Sequence, residues 1–269
     1  MVTFRELLAG FEALPIRGRA VIGHASYKSL GRVQGGPKAV IDALLKTCAS
    51  VVIPTFTYGT MVTPLAGPPN NGLDYAAEEA SRRAGGSSLT YDALPFRSDM
   101  PADEEMGILA ETLRRRPDAK RSLHPIFSFA GVNAEHTLGR QTIYDPLAPI
   151  GALAEKDGWA LLIGVDHTVN TSIHYAEKLA GRRQFVRWAR LSRRIVECPN
   201  FPGDSAGFNE IAPYLENDAQ TVTVGEARVR AIPLSQLFIH VKALLKADPL
   251  ALLCQRDSCG RCRAVRETI

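Results

Sequence analysis

The sequence of 269 residues lacks several features that define whole classes of protein. No apolar run approaches the roughly 20 residues of a membrane-spanning helix, so no membrane partner is expected. Met1 to Gly10 carries Arg5 and Glu6 and has no apolar signal-peptide core, which favours a cytoplasmic protein. The net charge of +4 is too small to indicate nucleic acid as a partner.

Cysteine is scarce and unevenly placed. Cys48 and Cys198 stand alone, whereas Cys254, Cys259 and Cys262 crowd the end of the chain. A secreted disulfide framework would use an even, distributed set, so a reducing compartment is favoured. The spacing Cys-x4-Cys-x2-Cys lies within the range of zinc loops, and Cys198 is the best candidate for the fourth ligand. Structural zinc on these four cysteines, unliganded reduced thiols and a redox switch are the alternatives.

What the sequence does contain is an alternation of strand-like apolar runs with helical patterns, which predicts an α/β protein with a sheet covered by helices. Strands are expected at 19–26, 50–57, 159–165, 184–197 and 221–232, and helices at 1–14, 37–48, 101–116, 170–181 and 234–247. Residues 58–100 interrupt this rhythm with Gly, Pro, Asn and Ser, apart from a short helical piece around Tyr75 to Arg83, which is typical of a lid or binding loop. We therefore predict a domain at 1–245 with an insertion at 58–100, and a cysteine-bearing tail at 246–269 packed on the same domain.

Polar residues crowd the run "GVDHTVNTSIHYAE", which opens at the end of a predicted buried strand. His167 follows that strand directly, where open α/β sheets bind ligands. Asn170 or Thr171 would cap the next helix and leave backbone N–H groups free to meet negative charge. His174 and Glu177 project from one face of the helix, as a general base and its orienting carboxylate do. The alternative is simple caps and a solvated pair.

A second run, "GHASYKSLGRVQGGPKAVIDAL", has the same form. Its strand ends in His24, and a loop of small residues leads into a helix. Gly35 and Gly36 let the backbone approach a ligand, and the N-terminus of a helix favours an anion such as pyrophosphate. The run is neither GxGxxG nor a P-loop, so a plain turn is the alternative.

The two runs, in this order, closely resemble the aminoglycoside 3-N-acetyltransferase family, whose fold is distinct from the commoner acetyltransferase superfamily. The resemblance extends through "PTFT", "MGILAETLRRRPDAKRSLHPIFSFAG" and "DPLAPIGAL". It implies an N-acetyltransferase of the antibiotic-resistance type, with acetyl-CoA as co-substrate, a small-molecule amine as acceptor, and a monomer or homodimer as the assembly.

The resemblance also implies roles for single residues. His167 corresponds to the catalytic histidine and His24 to a second histidine facing it, while His174 and Glu177 correspond to a supporting shell. Thr171 belongs to the segment near the thioester and completes the predicted catalytic set. The implied contacts to coenzyme A are Ser26, Ser29, Val33, Gly35, Gly36, Thr171 and Ser172. His124, within "RSLHP", shapes a turn and receives no role.

The chemistry of amide formation agrees with these roles. A protonated amine is no nucleophile, and a neutral histidine of pKa about 6.5 can take the proton. Donors near the thioester would stabilise the oxyanion that forms. We hypothesise direct transfer in a ternary complex, with His167 as base and no acetyl-enzyme. Cys48, the rival nucleophile, is interpreted as a packing residue.

The sequence departs from the resistance enzymes on the acceptor side. Asp166 stands where those enzymes often carry Gly, and residues 58–100 differ from their acceptor-binding region. A polycationic aminoglycoside needs an acidic pocket, for which only scattered carboxylates are available: Asp74, Glu78, Glu79, Asp99, Asp103, Glu104 and Glu105. A different small amine, a natural-product intermediate, and a zinc-containing non-catalytic member of the fold are the alternatives. The presence of both His24 and His167 argues against the last.

The run "GRRQFVRWARLSRR" interleaves arginines with Phe185 and Trp188. Such a pattern occurs in nucleic-acid binding. Its alternation is better explained by a strand with one basic face, and the 3′-phosphate of coenzyme A is one anion that this face could meet.

Overall fold

The computed structural model describes residues 1–83 and 93–269. Its described strands form two sheets, one of seven strands and one of three. The strands are β1 Ala20–Ala25, β2 Ser50–Pro54, β3 Met61–Val62, β4 Lys120–Arg121, β5 Phe129–Val132, β6 Trp159–Ile163, β7 Phe185–Arg190, β8 Ile195–Phe201, β9 Gln220–Val224 and β10 Ala227–Pro233. The main sheet has the order β4-β5-β2-β1-β6-β10-β9, and the smaller sheet the order β3-β7-β8.

The main sheet is mixed. Its central strand β1 runs parallel to both neighbours, β2 and β6, whereas β5 pairs antiparallel with β2 and β10 antiparallel with β6. The prediction of an α/β fold with a central sheet flanked by helices is therefore confirmed. Because β2, β1 and β6 are parallel, their carboxyl ends meet at one edge, where ligands bind in such sheets.

Helices cover both faces of the main sheet. Those described are α1 Phe4–Glu12, α2 Gly36–Thr47, α3 Tyr75–Arg83, α4 Gly107–Arg114, α5 Glu135–Leu138, α6 Ala148–Ala154, α7 Thr171–Leu179, α8 Leu234–Ala247 and α9 Gly260–Arg266. Neighbouring residues of a strand point to opposite faces. Accordingly, Val21 of β1 packs with Phe11 of α1 and Leu44 of α2, while Ile22 packs in the cluster that contains Ile173 of α7.

Two predicted elements are shorter in the structure. The strand expected at 50–57 ends at Pro54, the last residue in register with β5, although the N–H groups of Thr55 and Thr57 still donate to the carbonyls of Ser128 and Ile126. The helix expected at 101–116 begins only at Gly107, whose φ of 77° separates it from a 3₁₀ turn at Glu104–Met106. The short helix expected around Tyr75 to Arg83 is present as α3.

The run at 181–194 contains β7 and the turn that leads to β8 at Ile195, and it has no continuous basic face. Arg187 is buried with only 7% of its surface exposed, because it shares the inner face of β7 with Phe185. Its guanidinium lies 4.8 Å from the ring centroid of Phe201. The expected basic stripe is therefore wrong at its central arginine, which packs against aromatic rings.

The tail after α8 is buried at several points. Leu252, Cys254, Cys262 and Val265 all belong to the larger of the two apolar clusters. The division at residue 245 into a domain and a tail stays a prediction. Among the residues that the structure describes, no helix has both the length and the apolar character needed to cross a membrane.

Candidate active site

The two histidines singled out in the sequence come to the same edge of the main sheet. His24 is the penultimate residue of β1 and pairs in register with Leu162 of β6. The chain leaves β6 at Ile163 and reaches His167 in a 3₁₀ turn, His167–Val169, that directly precedes α7. Since β1 and β6 are parallel neighbours, both histidines lie at the carboxyl end of adjacent strands.

Both imidazoles are buried, with His24 7% exposed and His167 2% exposed. Within residues 1–83 and 93–269, five buried polar atoms near this edge lack a protein hydrogen-bond partner: His24 Nε2, His167 Nδ1, Asn170 Nδ2, Ser172 Oγ and Arg230 Nε. A buried polar group left unpaired costs about 1–3 kcal/mol. A cluster of such groups therefore marks a place built to receive a polar ligand.

Burial also sets the charge of these rings. It lowers the pKa of His24 to about 3. It lowers the pKa of His167 to about 4, with help from the positive charge of Arg230 and against the opposing effect of Asp166. Both side chains are therefore neutral near pH 7, and a neutral imidazole can accept a proton.

The loop that carries His167 is fixed by Asn209, a residue with no signal in the sequence. The backbone N–H of His167 donates to Asn209 Oδ1 at 3.0 Å, and Asn209 Nδ2 donates to Asp166 Oδ2 at 2.8 Å. The other oxygen of Asp166 accepts the backbone N–H of Thr168 at 3.0 Å. Asp166 thus shapes the turn around the histidine.

The start of α7 faces the same region. Asn170 caps the helix, since its Oδ1 accepts the backbone N–H of Ser172 at 3.2 Å. Thr171, the alternative cap, is the first helical residue and is 8% exposed. Ser172 is fully buried. The first turn of α7 therefore combines two hydroxyl side chains with the free N–H groups of a helix N-terminus.

His174 and Glu177 form a buried arrangement rather than a solvated pair. His174 Nδ1 lies 3.2 Å from Glu177 Oε2, and the Glu177 side chain is only 3% exposed. Its other oxygen lies 3.3 Å from Arg182 Nε. Arg182, which the sequence reasoning missed, also donates to the carbonyls of Pro249 and Ala251. Both oxygens of Glu177 therefore have a partner within the protein, as in a supporting structure, while Arg182 Nε contacts Glu177 as an ion pair without a hydrogen bond.

The loop predicted to bind coenzyme A lies directly beside the His167 loop. Ser29 Oγ donates to the carbonyl of Ser26 at 2.7 Å. A Cβ on Gly164, just after β6, would stand 1.7 Å from that hydroxyl oxygen, and Gly164 has a φ of 61°. The two loops can approach this closely only because residue 164 is glycine.

The same loop ends in two left-handed glycines. Gly35 has a φ of 81° and Gly36 a φ of 66°, and α2 begins at the second of them. Val33 accepts the N–H of Gly36 at 3.2 Å and forms a parallel bridge with Val2. The N-terminal segment therefore holds this loop in place.

A cleft of about 610 Å³ lies between these loops and β10. It is lined by Ser29, Gly164, Val165, Asp166, Val169, Glu226, Ala227, Arg228 and Arg230. Arg230 Nη2 donates to the carbonyl of Val165 at 2.7 Å. The sequence analysis did not single out the two arginines, because only the antiparallel pairing of β10 with β6 brings them to this edge.

Acidic residues border the edge on its other side. Gly107, which follows the 3₁₀ turn Glu104–Met106, lies next to the end of β1. A Cβ placed on Gly107 would be 3.7 Å from the carbonyl oxygen of Ala25. Glu104 and Glu105 are exposed in that turn. Asp103 accepts the backbone N–H of Tyr58, and burial raises the pKa of its carboxyl. Of the other candidate carboxylates, Glu79 and Asp99 lie on the surface and pair with arginines.

Two predicted residues are structural. His124 Nδ1 accepts the backbone N–H groups of Ile126 and Phe127 at 3.1 and 3.0 Å, so it does shape the turn. Cys48 ends α2, and burial raises the pKa of its thiol to about 12, which suits packing rather than nucleophilic attack.

The predicted metal ligands are only partly brought together. Cys254, Cys259 and Cys262 converge, but the fourth donor beside them is Asp204. Cys198 lies outside this group. It lies on β8 and is 1% exposed, packed in the apolar cluster. The close group of donors therefore includes Asp204 and not the predicted Cys198. Cys198 packs in the same apolar cluster as Cys254 and Cys262, but its Sγ contacts the carbonyl of Val196 on its own strand at 3.9 Å.

Comparisons with known proteins agree with the resemblance. The family model for aminoglycoside 3-N-acetyltransferase matches residues 22–246. The chain therefore belongs to this family. Aminoglycoside N(3)-acetyltransferase IV of Salmonella sp. is 30% identical over 173 residues, which cover 61% of this chain and 53% of the relative. The matched stretch thus spans about half the length of that relative.

Solved structures share the fold. A mutant of aminoglycoside acetyltransferase AAC(3)-IVa in complex with gentamicin has a TM-score of 0.77 at 24% identity, over 100% of this chain and 98% of that chain. AAC-IIIb in a binary complex with CoASH has a TM-score of 0.71 at 21% identity, over 91% and 96% of the two chains. At such identities the likeness establishes the fold, and the ligands are those of the relatives.

Proposed function

We propose that this protein is an acetyl-CoA-dependent N-acetyltransferase that acts on an amine of an aminoglycoside or a similar polyamine. The observation that carries the proposal is the pair of buried, neutral histidines at adjacent strand ends, with His24 Nε2 and His167 Nδ1 lacking protein partners. Family membership adds the class of reaction, and the complexes of relatives with CoASH and gentamicin add the two substrates.

Coenzyme A would bind along the loop from Ser26 to Gly36. The left-handed backbone at Gly35 and Gly36 and the N-terminus of α2 offer N–H groups to phosphate oxygens. Ser29 lines the adjoining cleft, and Arg228 and Arg230 bring positive charge to it. The cleft also contains Asp166 and Glu226, so its charges balance overall. The two arginines are the groups in it that could pair with a phosphate of the cofactor.

In the proposed step, His167 accepts a proton from the acceptor ammonium. The free amine nitrogen then attacks the carbonyl carbon of the acetyl thioester, and the C–N bond forms. The tetrahedral oxyanion collapses and the C–S bond breaks. The thiolate of coenzyme A takes up the proton held by His167, which becomes neutral again, and the new amide nitrogen loses its extra proton to solvent. Donors in the first turn of α7, including the Ser172 hydroxyl, would stabilise the oxyanion.

The acceptor would lie toward the acidic turn. Glu104 and Glu105 are exposed near the end of β1, and they would attract a cationic amine to the edge that carries His24. A polyamine gains more from two carboxylates than a monoamine does. This placement favours an aminoglycoside-like acceptor over a simple amine.

The test combines calorimetry with a thiol-release assay on the full-length protein. We expect acetyl-CoA to bind, and thiol to appear only when an amine acceptor is added, with faster release for aminoglycosides than for simple amines.

Arg228→Gln should raise the Kd for acetyl-CoA about 5-fold by removing one charge contact, while the exposed Arg193→Gln serves as the matched control. Absence of acetyl-CoA binding to the wild type would refute the proposal. Binding with thiol release only for monoamines would refute the acceptor class alone.

A further inference from the structure

The C-terminal tail brings four metal-type donors to one point outside the site described above. Cys254, Cys259, Cys262 and Asp204 each offer a ligand atom, and these atoms lie within 4.8 Å of one another. A tetrahedral zinc with Zn–S bonds of about 2.3 Å holds its sulfurs about 3.8 Å apart. Small rotations of four side chains would therefore close the group around an ion.

The surroundings of the group suit a metal with thiolate ligands. Three thiolates and a carboxylate leave an excess of negative charge after Zn²⁺ is bound, and two arginines lie beside it. Arg256 Nη2 is 2.7 Å and Arg261 Nη2 3.4 Å from Asp204 Oδ2. Asp204 Oδ1 also accepts the backbone N–H of Ala206 at 2.9 Å, which orients the carboxylate.

The donor set selects the kind of metal and its role. Thiolates favour zinc over magnesium or calcium, which prefer oxygen ligands. Cys254 and Cys262 are buried, and the Asp204 side chain is only 11% exposed. Four protein ligands with little access to solvent define a structural site, whereas a catalytic site keeps one position open.

The tail also contacts the insertion on the acceptor side. A Cβ on Gly72 would lie 3.0 Å from Arg261 Cα, and a Cβ on Gly260 would lie 3.0 Å from the Gly72 carbonyl oxygen. Next to this contact, Asn71 exchanges two hydrogen bonds with the backbone of Val186 in β7. The turn that carries Cys259 and Cys262 therefore abuts both the insertion and the smaller sheet.

We propose that Cys254, Cys259, Cys262 and Asp204 bind one structural Zn²⁺, and that this ion holds the tail against residues 70–72 of the insertion. The metal thereby fixes one wall of the region between the two sheets without taking part in chemistry. The coenzyme A loop contacts β6, α4 and Val2 and includes none of these four ligands.

The first test is metal content of the full-length protein purified without chelator. We expect one zinc per chain in the wild type and in the control Cys48→Ala, and less than a fifth of that in Cys259→Ser and Asp204→Ala. Cobalt exchanged into the site should show thiolate-to-metal charge-transfer absorption and tetrahedral d–d bands. A metal-free wild type, or a disulfide among the three cysteines found by mass spectrometry, would overturn the proposal.

The second test is hydrogen exchange before and after removal of zinc by a chelator, which needs no enzyme activity. We expect exchange at residues 70–72 and 254–266 to accelerate at least 10-fold, with exchange at Ser26 to Gly36 unchanged. Uniform acceleration across the chain, or none at 70–72, would contradict the role of the ion as a clamp. Readdition of zinc should restore the protection.

Discussion

His167 and His174 lie on one short stretch of chain, yet their surroundings differ completely. His167 is buried with no protein partner for its Nδ1 among the described residues, and burial lowers its pKa to about 4. His174 is also largely buried, but its Nδ1 meets Glu177, which is held in turn by Arg182. A buried imidazole without a protein partner is available to a substrate. A buried imidazole that already pairs with a carboxylate is suited to a structural role.

The largest effect should come from a comparison in which each of these two histidines is replaced, in turn, by asparagine. We expect His167→Asn to lower kcat/KM for the acetyl acceptor about 10³-fold, the usual size of a lost general base. His174→Asn, which removes contacts to Glu177 and to the ring of Phe208, should lower it about 10-fold or less. Steady-state thiol-release kinetics at saturating acetyl-CoA measure both.

The matched pair also contains its own control, because each variant replaces a buried imidazole by the same amide. If the two variants lose activity equally, the distinction between a reacting and a supporting histidine is wrong. Circular dichroism melting curves of both proteins would establish that the comparison is made between folded chains.

Disruption of the buried Glu177–Arg182 pair beside His174 should cause a large loss of stability. Arg182→Met leaves the carboxylate of Glu177 buried without its counter-charge, and breaking a buried ion pair in this way costs about 3 kcal/mol. Urea denaturation should show this loss in the free energy of unfolding. The double variant Glu177→Gln, Arg182→Met should recover part of it, since no charge is then left unpaired.

An exposed arginine provides the reference for that experiment. Arg193→Met should change the free energy of unfolding by less than about 0.5 kcal/mol, as surface substitutions usually do. A value for Arg182→Met that matches Arg193→Met would mean that the buried pair contributes nothing.

The sequence indicated the two buried histidines at the strand ends better than it indicated the residues that hold them. His24 and His167 could be found because each follows an apolar strand in a recognisable run, and parallel pairing then places both at one edge. Asn209 could not be found, because it contacts His167 from 42 positions away in a segment without a motif. The spacing of residues along a chain does not reveal which distant side chain will contact a given residue in the folded protein.

The same limit applies to charged residues. Alternation correctly predicted a strand at 185–190, but Arg187 faces inward because Phe185 and Phe201 accommodate its guanidinium. Asp204 lies beside the tail cysteines where Cys198 was predicted, since the Cys198 thiol contacts the Val196 carbonyl of its own strand. Element types follow from local patterns, whereas the partners of polar groups follow from packing.

The free energy of unfolding, measured as a function of pH, tests whether His167 is buried without a partner that would stabilise its protonated form. An unfolded histidine protonates near pH 6.5, but folded His167 does so only near pH 4. Between these values the unfolded state binds more protons, so the free energy of unfolding falls as the pH decreases. At pH 5 the loss due to His167 should be about 2 kcal/mol relative to neutral pH.

The variant His167→Asn removes that titration. Its free energy of unfolding should therefore fall less steeply between pH 7 and pH 5 than that of the wild type, while the remaining slope comes from His24 and His124, whose pKa values burial also lowers. Parallel urea denaturation curves across this range give the difference. Identical slopes in the two proteins would show that His167 has a protonation partner in the folded state.

The smallest effect concerns Asn209, which contacts the His167 loop and not the His174 group. Asn209→Ala removes the acceptor for the His167 N–H and the donor to Asp166. We expect kcat to fall about 10-fold, or about 1.4 kcal/mol, because a displaced base reacts more slowly. The KM for acetyl-CoA should stay within 2-fold, since Ser29 and Arg228 do not depend on this contact.

Exposed Asn217 lies in the same part of the chain and supplies the control, and Asn217→Ala should leave both constants unchanged. A positioning role for Asn209 predicts a loss confined to kcat, whereas a general loosening of the fold would raise both KM values and lower the melting temperature. Loss of stability without loss of kcat would mean that Asn209 has a structural role, as proposed for His174. It would contradict a role for Asn209 in orienting His167.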